Sequence, residues 1–136
     1  MLEGGYAALH NASFDRAQLL GSGTGVNVGI YSTEFAQILS HGPQAHSVYA
    51  ATGASLSIAS GRTSFVLGLH GPCAAFETAC SAALVAFHSA ARAVQRCECA
   101  AHLAVGVPLL PLHASSVGLA IPGLTPQRGR RNTFLL

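Results

Sequence analysis

Charged side chains are scarce in this chain of 136 residues, and lysine and tryptophan are absent altogether. The formal net charge of +2 comes from arginines, whose one tight cluster is Arg128, Arg130 and Arg131. Nucleic-acid binding needs a broad basic surface, usually with aromatic side chains between the cations. The composition therefore argues against a nucleic-acid partner, and we interpret the arginine cluster as a solvated turn.

Long uninterrupted apolar runs are also missing. Residues 99–127 contain no Asp, Glu, Lys or Arg, but Pro108, Pro111, Pro122 and two histidines interrupt them. Because a spanning helix needs about 18–20 consecutive apolar residues, we expect no membrane segment. The first six residues lack the basic and apolar regions of a signal peptide. We therefore expect a cytoplasmic protein with reduced cysteines.

The four cysteines lack the spacing of a structural metal site. Cys97-Glu98-Cys99 with His102 is too tight for the usual zinc pattern, and no second Cys-x-x-Cys arm accompanies it. The other histidines are scattered, and their spacing places none of them as a base for a cysteine. We predict neither a metal ion nor another bound cofactor.

Hydrophobic residues make up 50% of the chain and charged residues only 9%. This composition is more apolar than is usual for an independent soluble domain. We therefore expect part of the apolar surface to contact a partner. Proline, glycine and the spacing of apolar residues divide the chain into alternating elements. The pattern predicts helices at residues 2–9, 16–20 and 34–39, strands at 26–31, 73–76 and 102–107, and a loop at 40–46. Such alternation predicts an α/β layered fold without an internal domain boundary.

Two finer expectations concern particular residues. Asp15 or Ser13 is a candidate cap for the helix at 16–20. Pro108 has no backbone N–H, so the strand at 102–107 must end early or lie at a sheet edge.

Cys80 lies between a predicted strand and a predicted helix. Gly71-Pro72 breaks the chain, the uncharged run 73–76 follows, and apolar residues recur at helical spacing from Leu84 to a helix end near Arg96. At a helix start, unpaired N–H groups and the macrodipole favour a thiolate. Cysteine is also a common small packing residue. These residues alone leave both roles open for Cys80, whereas Cys73, inside the strand, is expected to be shielded.

Residues 52–72, followed by Glu77-Thr78-Ala79-Cys80-Ser81, resemble the β-ketoacyl synthase (ketosynthase) domain of modular polyketide synthases and type I fatty-acid synthases. Residues 25–33 are similar to a strand of that family, and residues 116–130 to its segment beyond the active-site helix. Residues 54–64 resemble one of the family's helices, which implies that Leu56, Ile58 and Ala59 point inward. The resemblance implies a partial thiolase-like α/β fold, layered α/β/α, with an incomplete N-terminal half. Residues 1–136 would then be one interior fragment of the domain.

The family's reaction is decarboxylative Claisen condensation in fatty-acid or polyketide biosynthesis. The resemblance implies that Cys80 is the nucleophile that accepts an acyl group from the phosphopantetheine of an acyl carrier protein. The family's two catalytic histidines belong to His-Gly-Thr-Gly-Thr and Gly-His motifs of the second half, and neither motif occurs here. Implied partners are the acyl carrier protein and a second copy in a homodimer, or the missing half of the domain. The alternative is a catalytically inactive remnant or a partner-dependent interaction module.

The chain departs from the family pattern around and beyond the cysteine. Where the family usually has Asp-Thr-Ala-Cys-Ser-Ser-Ser, this chain has Glu77 in place of Asp and Ala82-Ala83 in place of the last two serines. A Gly-Glu-Cys-Asp pattern after the helix is replaced by Cys97-Glu98-Cys99-Ala100.

Overall fold

Three parallel strands lie at the centre of the structure, in the order β2-β1-β3. The computed structural model describes residues 1–31, 34–42, 47–108, 117 and 121. The strands are β1 (Gly25–Tyr31), β2 (Cys73–Phe76) and β3 (His102–Pro108). β1 pairs in parallel with both neighbours and is therefore the central strand. These bounds confirm the three predicted strands to within one residue at each end.

Helices connect these strands, as parallel pairing requires, and two further helices precede β1. Within the described residues they are α1 (Leu2–Asn11), α2 (Arg16–Leu19), α3 (Glu34–His41), α4 (Ala50–Ala54), α5 (Leu56–Leu67) and α6 (Ala82–Gln95). The predicted helix at residues 54–64 is interrupted at its start, because Ser55 adopts extended backbone between α4 and α5. No helix in this described part of the chain is long and apolar enough to cross a membrane.

The predicted loop at residues 40–46 begins later than expected. α3 continues through Ser40 and His41, and both of these side chains hydrogen-bond the carbonyl oxygen of Gln37 at 2.8 Å. Residues 43–46 lie outside the described residues, as do residues 116–130 apart from positions 117 and 121.

Three helices end in the same backbone motif, with one residue of positive φ just beyond the last turn. These residues are Ser13 after α1, Gly68 after α5 and Cys97 after α6. After α6, the N–H of Cys97 donates to the carbonyl of Val94, and the next N–H donates to that of Ala93. This is the Schellman pattern, which favours glycine because a Cβ is disfavoured at positive φ. Ser13 therefore ends α1, and the cap of α2 is Asp15, whose N–H donates to Gln18 Oε1 at 3.0 Å.

One face of the sheet carries the larger apolar side chains. Val26 and Val28 are fully buried there, and α1 and α5 cover this face. The core cluster consists of Leu9, Leu19, Val26, Val28, Leu69 and Leu103. Leu56, Ile58 and Ala59, which were expected to point inward from α5, are partly buried and lie outside this cluster. The buried positions of α5 are instead Ser60 and Thr63, whose hydroxyls donate to carbonyls of the same helix.

The opposite face of the sheet is covered by α6 and is made of small residues. Alternation along a strand puts Asn27 and Gly29 of β1 on this face. Gly29 pairs in register with Gly106 of β3. The arrangement is a layered α/β/α fold, as predicted. β3 lies at an edge of the described sheet, which accommodates Pro108 as the last residue of the strand.

Candidate active site

Cys80 lies in the turn that joins β2 to α6. Ser81 is the N-cap of α6, and the helix begins at Ala82. The Cys80 side chain is exposed. The predicted position between a strand and a helix start is therefore observed, and the turn emerges at the carboxyl end of the parallel strands, where α/β proteins place their ligand sites.

Hydrogen bonds between residues 78 and 82 hold this turn. The Ser81 hydroxyl donates to the carbonyl of Thr78 at 2.8 Å and contacts Thr78 Oγ1 at 3.0 Å. The N–H of Ala82 donates to the carbonyl of Ala79 at 3.1 Å. Ala79 has a φ of 51°, in the left-handed region that disfavours a residue with a Cβ. A strained backbone residue directly before Cys80 is typical of functional turns, where surrounding contacts maintain a conformation of about 1–3 kcal/mol strain.

The first turn of α6 presents backbone donors beside Cys80. The first helical N–H to reach a carbonyl four residues back is that of Val85, which donates to Ser81 at 3.0 Å. The amides of Ala83 and Leu84 have no backbone acceptor among the described residues. Such amides and the positive end of the helix macrodipole stabilise negative charge. The unpaired amides at the start of α6 are therefore suited to donate to a negatively charged oxygen beside Cys80.

Two glycines let the start of α6 approach the sheet directly. A Cβ added at Gly29 would overlap the carbonyl group of Ala82 and lie 2.6 Å from the nitrogen of Ala83. A Cβ added at Gly106 would lie 2.7 Å from the Cβ of Ala83. The depth of the helix start, and with it the position of the Cys80 turn, is thus set by the absence of side chains on two paired strands.

Large apolar side chains of α6 point away from the sheet. Leu84 is 69% exposed and Phe87 is 62% exposed. The buried residues of the helix are Ala82, Ala86, Ala90 and Ala93. Their spacing of four, four and three residues indicates one helix face, which is the packed face of α6. The sequence pattern did not predict that face, because Leu84 and Phe87 are more hydrophobic than these alanines. Within the part of the chain that the structure describes, no element covers this apolar strip of α6, which follows Cys80.

The other cysteines differ in exposure, and Cys73 corrects an expectation. Cys73 is exposed rather than shielded, because β2 is an edge strand of the described sheet and Cys73 is its first residue. Cys97 is also exposed, whereas Cys99 is buried. Exposure alone therefore does not distinguish Cys80 from Cys73 or Cys97.

One imidazole lies beside a thiol in the described residues, and that thiol is not Cys80. His102 Nδ1 lies 3.4 Å from Cys99 Sγ. Burial lowers the pKa of His102, and the nearby Glu98 carboxylate opposes this effect. His102 Nε2 is buried without a hydrogen-bond partner in the described structure. Cys97, Cys99 and His102 do not come together as a metal-binding group, and no group of three metal-ligating side chains occurs among residues 1–31, 34–42 and 47–108.

Comparisons with known proteins match this chain to one domain of a single protein family. Residues 1–135 match the family model described as "Beta-ketoacyl synthase, N-terminal domain". A phenolphthiocerol synthesis polyketide synthase type I, Pks15/1 of Mycobacterium bovis, is 42% identical over 120 residues, which are 88% of this chain and 6% of that protein. Polyketide synthase GfsB of Streptomyces halstedii is 37% identical over 134 residues, 98% of this chain and 2% of that protein.

Solved structures agree with the sequence relatives. The ketosynthase from module 6 of the bacillaene synthase of Bacillus subtilis 168 superposes with a TM-score of 0.76 at 32% identity. The match covers 92% of this chain and 21% of that ketosynthase chain. The chain therefore spans a small part of its curated relatives and about a fifth of the solved ketosynthase.

Proposed function

This chain belongs to the β-ketoacyl synthase family, and from that membership we propose that it is part of a polyketide-synthase ketosynthase with Cys80 as the acyl-accepting nucleophile. The thiolase-like fold of the family is present as a parallel sheet layered between helices. The observation that carries the assignment of Cys80 is its exposed position in a strained turn directly before the α6 N-terminus. We propose further that residues 1–136 form one portion of the N-terminal domain with no internal boundary.

The chemistry of acylation follows from the position of the sulfur. The Cys80 thiolate attacks the carbonyl carbon of an acyl thioester carried on the phosphopantetheine of an acyl carrier protein. A carbon–sulfur bond forms, the carrier thiolate leaves, and the proton released from Cys80 ends on the carrier thiol. The Cys80 backbone N–H is our proposed first donor to the tetrahedral oxyanion, for which an oriented amide contributes about 10²–10³ in rate.

Condensation requires a second set of groups. A malonyl thioester on the carrier protein loses CO2, and the resulting enolate carbon attacks the acyl carbonyl carbon on Cys80. The carbon–sulfur bond to Cys80 then breaks. Cys80 leaves as a thiolate, and the β-ketoacyl product remains on the carrier protein. The family's two histidines stabilise the developing enolate, and their motifs do not occur in this sequence. No imidazole lies within hydrogen-bonding distance of Cys80 among the described residues. We therefore propose that this chain alone undergoes acylation but not condensation.

The proposed protein partner is the remaining half of the domain or a second copy of the chain. Two features support this. One is the apolar strip of α6 around Leu84 and Phe87, and the other is β2, an edge strand of the sheet in the described residues, whose residues Cys73–Phe76 carry no charge that would discourage pairing. Burying such a strip stabilises an assembly by about 25 cal/mol for each Å² of apolar surface removed from water.

A second candidate function is a catalytically inactive, partner-dependent interaction module. The uncovered strip of α6 and the lack of an imidazole beside Cys80 favour it. The two candidates differ in one measurable property, because an interaction module has no need for preferential acylation of Cys80.

The deciding experiment treats the purified chain with a short acyl-pantetheine thioester and maps the adducts by mass spectrometry. We expect one thioester adduct, on Cys80, that hydroxylamine removes and that Cys80→Ala abolishes. Cys73→Ala is the matched control, because Cys73 is also exposed but lies at the start of a strand rather than before a helix. Equal acylation of Cys73, Cys80 and Cys97 would reject a special role for Cys80 and leave the interaction module. A β-ketoacyl product from malonyl carrier protein would reject the claim that histidines outside this chain are required.

A further inference from the structure

Asn27 is the polar side chain that links the central strand to α6. It is 3% exposed, in the middle of β1. Its Nδ2 donates to the backbone carbonyl of Ala86 at 3.3 Å. Its register partners are Ala74 on β2 and Ala104 on β3. An amide buried among alanines is unfavourable unless it is hydrogen-bonded, so this bond is selective for one position of α6 over the sheet.

The rest of the contact between the start of α6 and the sheet is nearly flat, because it is formed by backbone and small side chains. Gly29 and Gly106 meet the backbone and Cβ of Ala82 and Ala83, and the buried residues farther along the helix are alanines. Such a surface lets a helix approach closely, but it lacks the interdigitated large side chains that resist sliding and rotation. A directional hydrogen bond supplies the missing constraint.

We infer that Asn27 is a positioning residue, which fixes the height and rotation of α6 and thereby the turn that carries Cys80. This inference rests on the proposed role of Cys80. Ala86 lies four residues beyond Ala82, the first residue of α6, which corresponds to roughly 6 Å of helix rise. Asn27 acts through the Ala86 carbonyl and the rigid first turns of α6, without contact with the reacting sulfur.

The hydrogen bond is testable in the unmodified protein. One of the two side-chain amide protons of Asn27 should exchange with solvent at least about tenfold more slowly than those of Asn11, since buried hydrogen-bonded amides are protected. Asn11 is the internal control, because it is exposed at the end of α1. Asn27 protons that exchange as fast as those of Asn11 would overturn the inference without any variant having to fold.

The positioning role is tested with Asn27→Leu, which keeps a similar volume and removes the donor. Val28→Ala is the matched control: Val28 is the next residue of β1, is fully buried, and points to the opposite face. Asn27→Leu should accelerate amide exchange in α6 about fivefold to tenfold relative to α5, as expected for loss of one buried hydrogen bond. Val28→Ala should destabilise the chain without this bias toward α6.

A second readout concerns the sulfur. The rate of Cys80 acylation relative to that of Cys73 should fall in Asn27→Leu and stay unchanged in Val28→Ala, because only Asn27→Leu displaces the helix start behind the Cys80 turn. Equal acceleration of α5 and α6, or an unchanged ratio of Cys80 to Cys73 acylation in Asn27→Leu, would overturn the positioning role. Failure of the proposed function is separately visible: wild-type Cys80 would then be acylated no faster than Cys97, whatever the exchange of α6 shows.

Discussion

Replacing Gly29 with alanine tests whether the start of α6 lies directly on the sheet. The new Cβ would lie 2.6 Å from the nitrogen of Ala83 and overlap the carbonyl of Ala82. Carbon contacts relax at about 3.5–4.0 Å, so the helix start must move away by roughly 1 Å. Because backbone atoms are hit, no side-chain rotation relieves the overlap. Overpacking of this kind costs about 1–3 kcal/mol, and the lower chain entropy of alanine in the unfolded state returns about 0.4–1 kcal/mol.

We therefore expect Gly29→Ala to lower the free energy of unfolding by about 1–2 kcal/mol, measured by urea denaturation. A helix start displaced by about 1 Å should also lower Cys80 acylation by up to about 10²-fold. Gly61→Ala is the control, because Gly61 is exposed in α5 and an added Cβ there meets nothing within 4 Å. That substitution should stabilise by about 0.5–1 kcal/mol through helix propensity. A Gly29→Ala protein as stable as wild type, with unchanged acylation, would refute the described contact.

Three further predictions concern other residues. Cys97→Gly should raise the free energy of unfolding by about 1 kcal/mol in a urea titration, because Cys97 has a φ of 59° at the end of α6; no gain would mean that the thiol has a compensating contact. Burial lowers the folded-state pKa of His102, so folding favours the neutral imidazole. The contribution of His102 to the free energy of unfolding should therefore be fully present above about pH 6.5 and decline as the pH falls below that value. In His102→Leu, the urea midpoint should depend less on pH in that window. Iodoacetamide should label Cys80 before Cys73, which is also exposed, because only Cys80 lies beside a helix N-terminus. Equal rates by peptide mapping would contradict the effect of the helix.

Local patterns account for most of the secondary structure that was predicted. The apolar run at residues 73–76 follows a Gly-Pro break, and the strand occupies those residues. The missing N–H of Pro108 predicted a strand end or an edge, and both are observed. Helix ends were less predictable, because Ser13 and Cys97 adopt the positive φ that sequence reasoning assigns to glycine. The hydrogen bonds of the last helical turn decide those positions.

The motif around Cys80 identified the family from sequence alone, because the order of residues in a strand-to-helix turn is a local property. The packed face of α6 could not be predicted in the same way, because Leu84 and Phe87, which are exposed, are more hydrophobic than the alanines that are buried. The outcome depends on parallel pairing, which sets Gly29 beside Gly106 although they lie far apart in the chain. A helix can lie directly on a sheet face that lacks side chains only if the helix presents its own smallest residues to that face. The tertiary structure alone therefore decided how closely α6 approaches the sheet and that its large side chains are exposed. It also decided the hydrogen bond from Asn27 to the helix that follows Cys80.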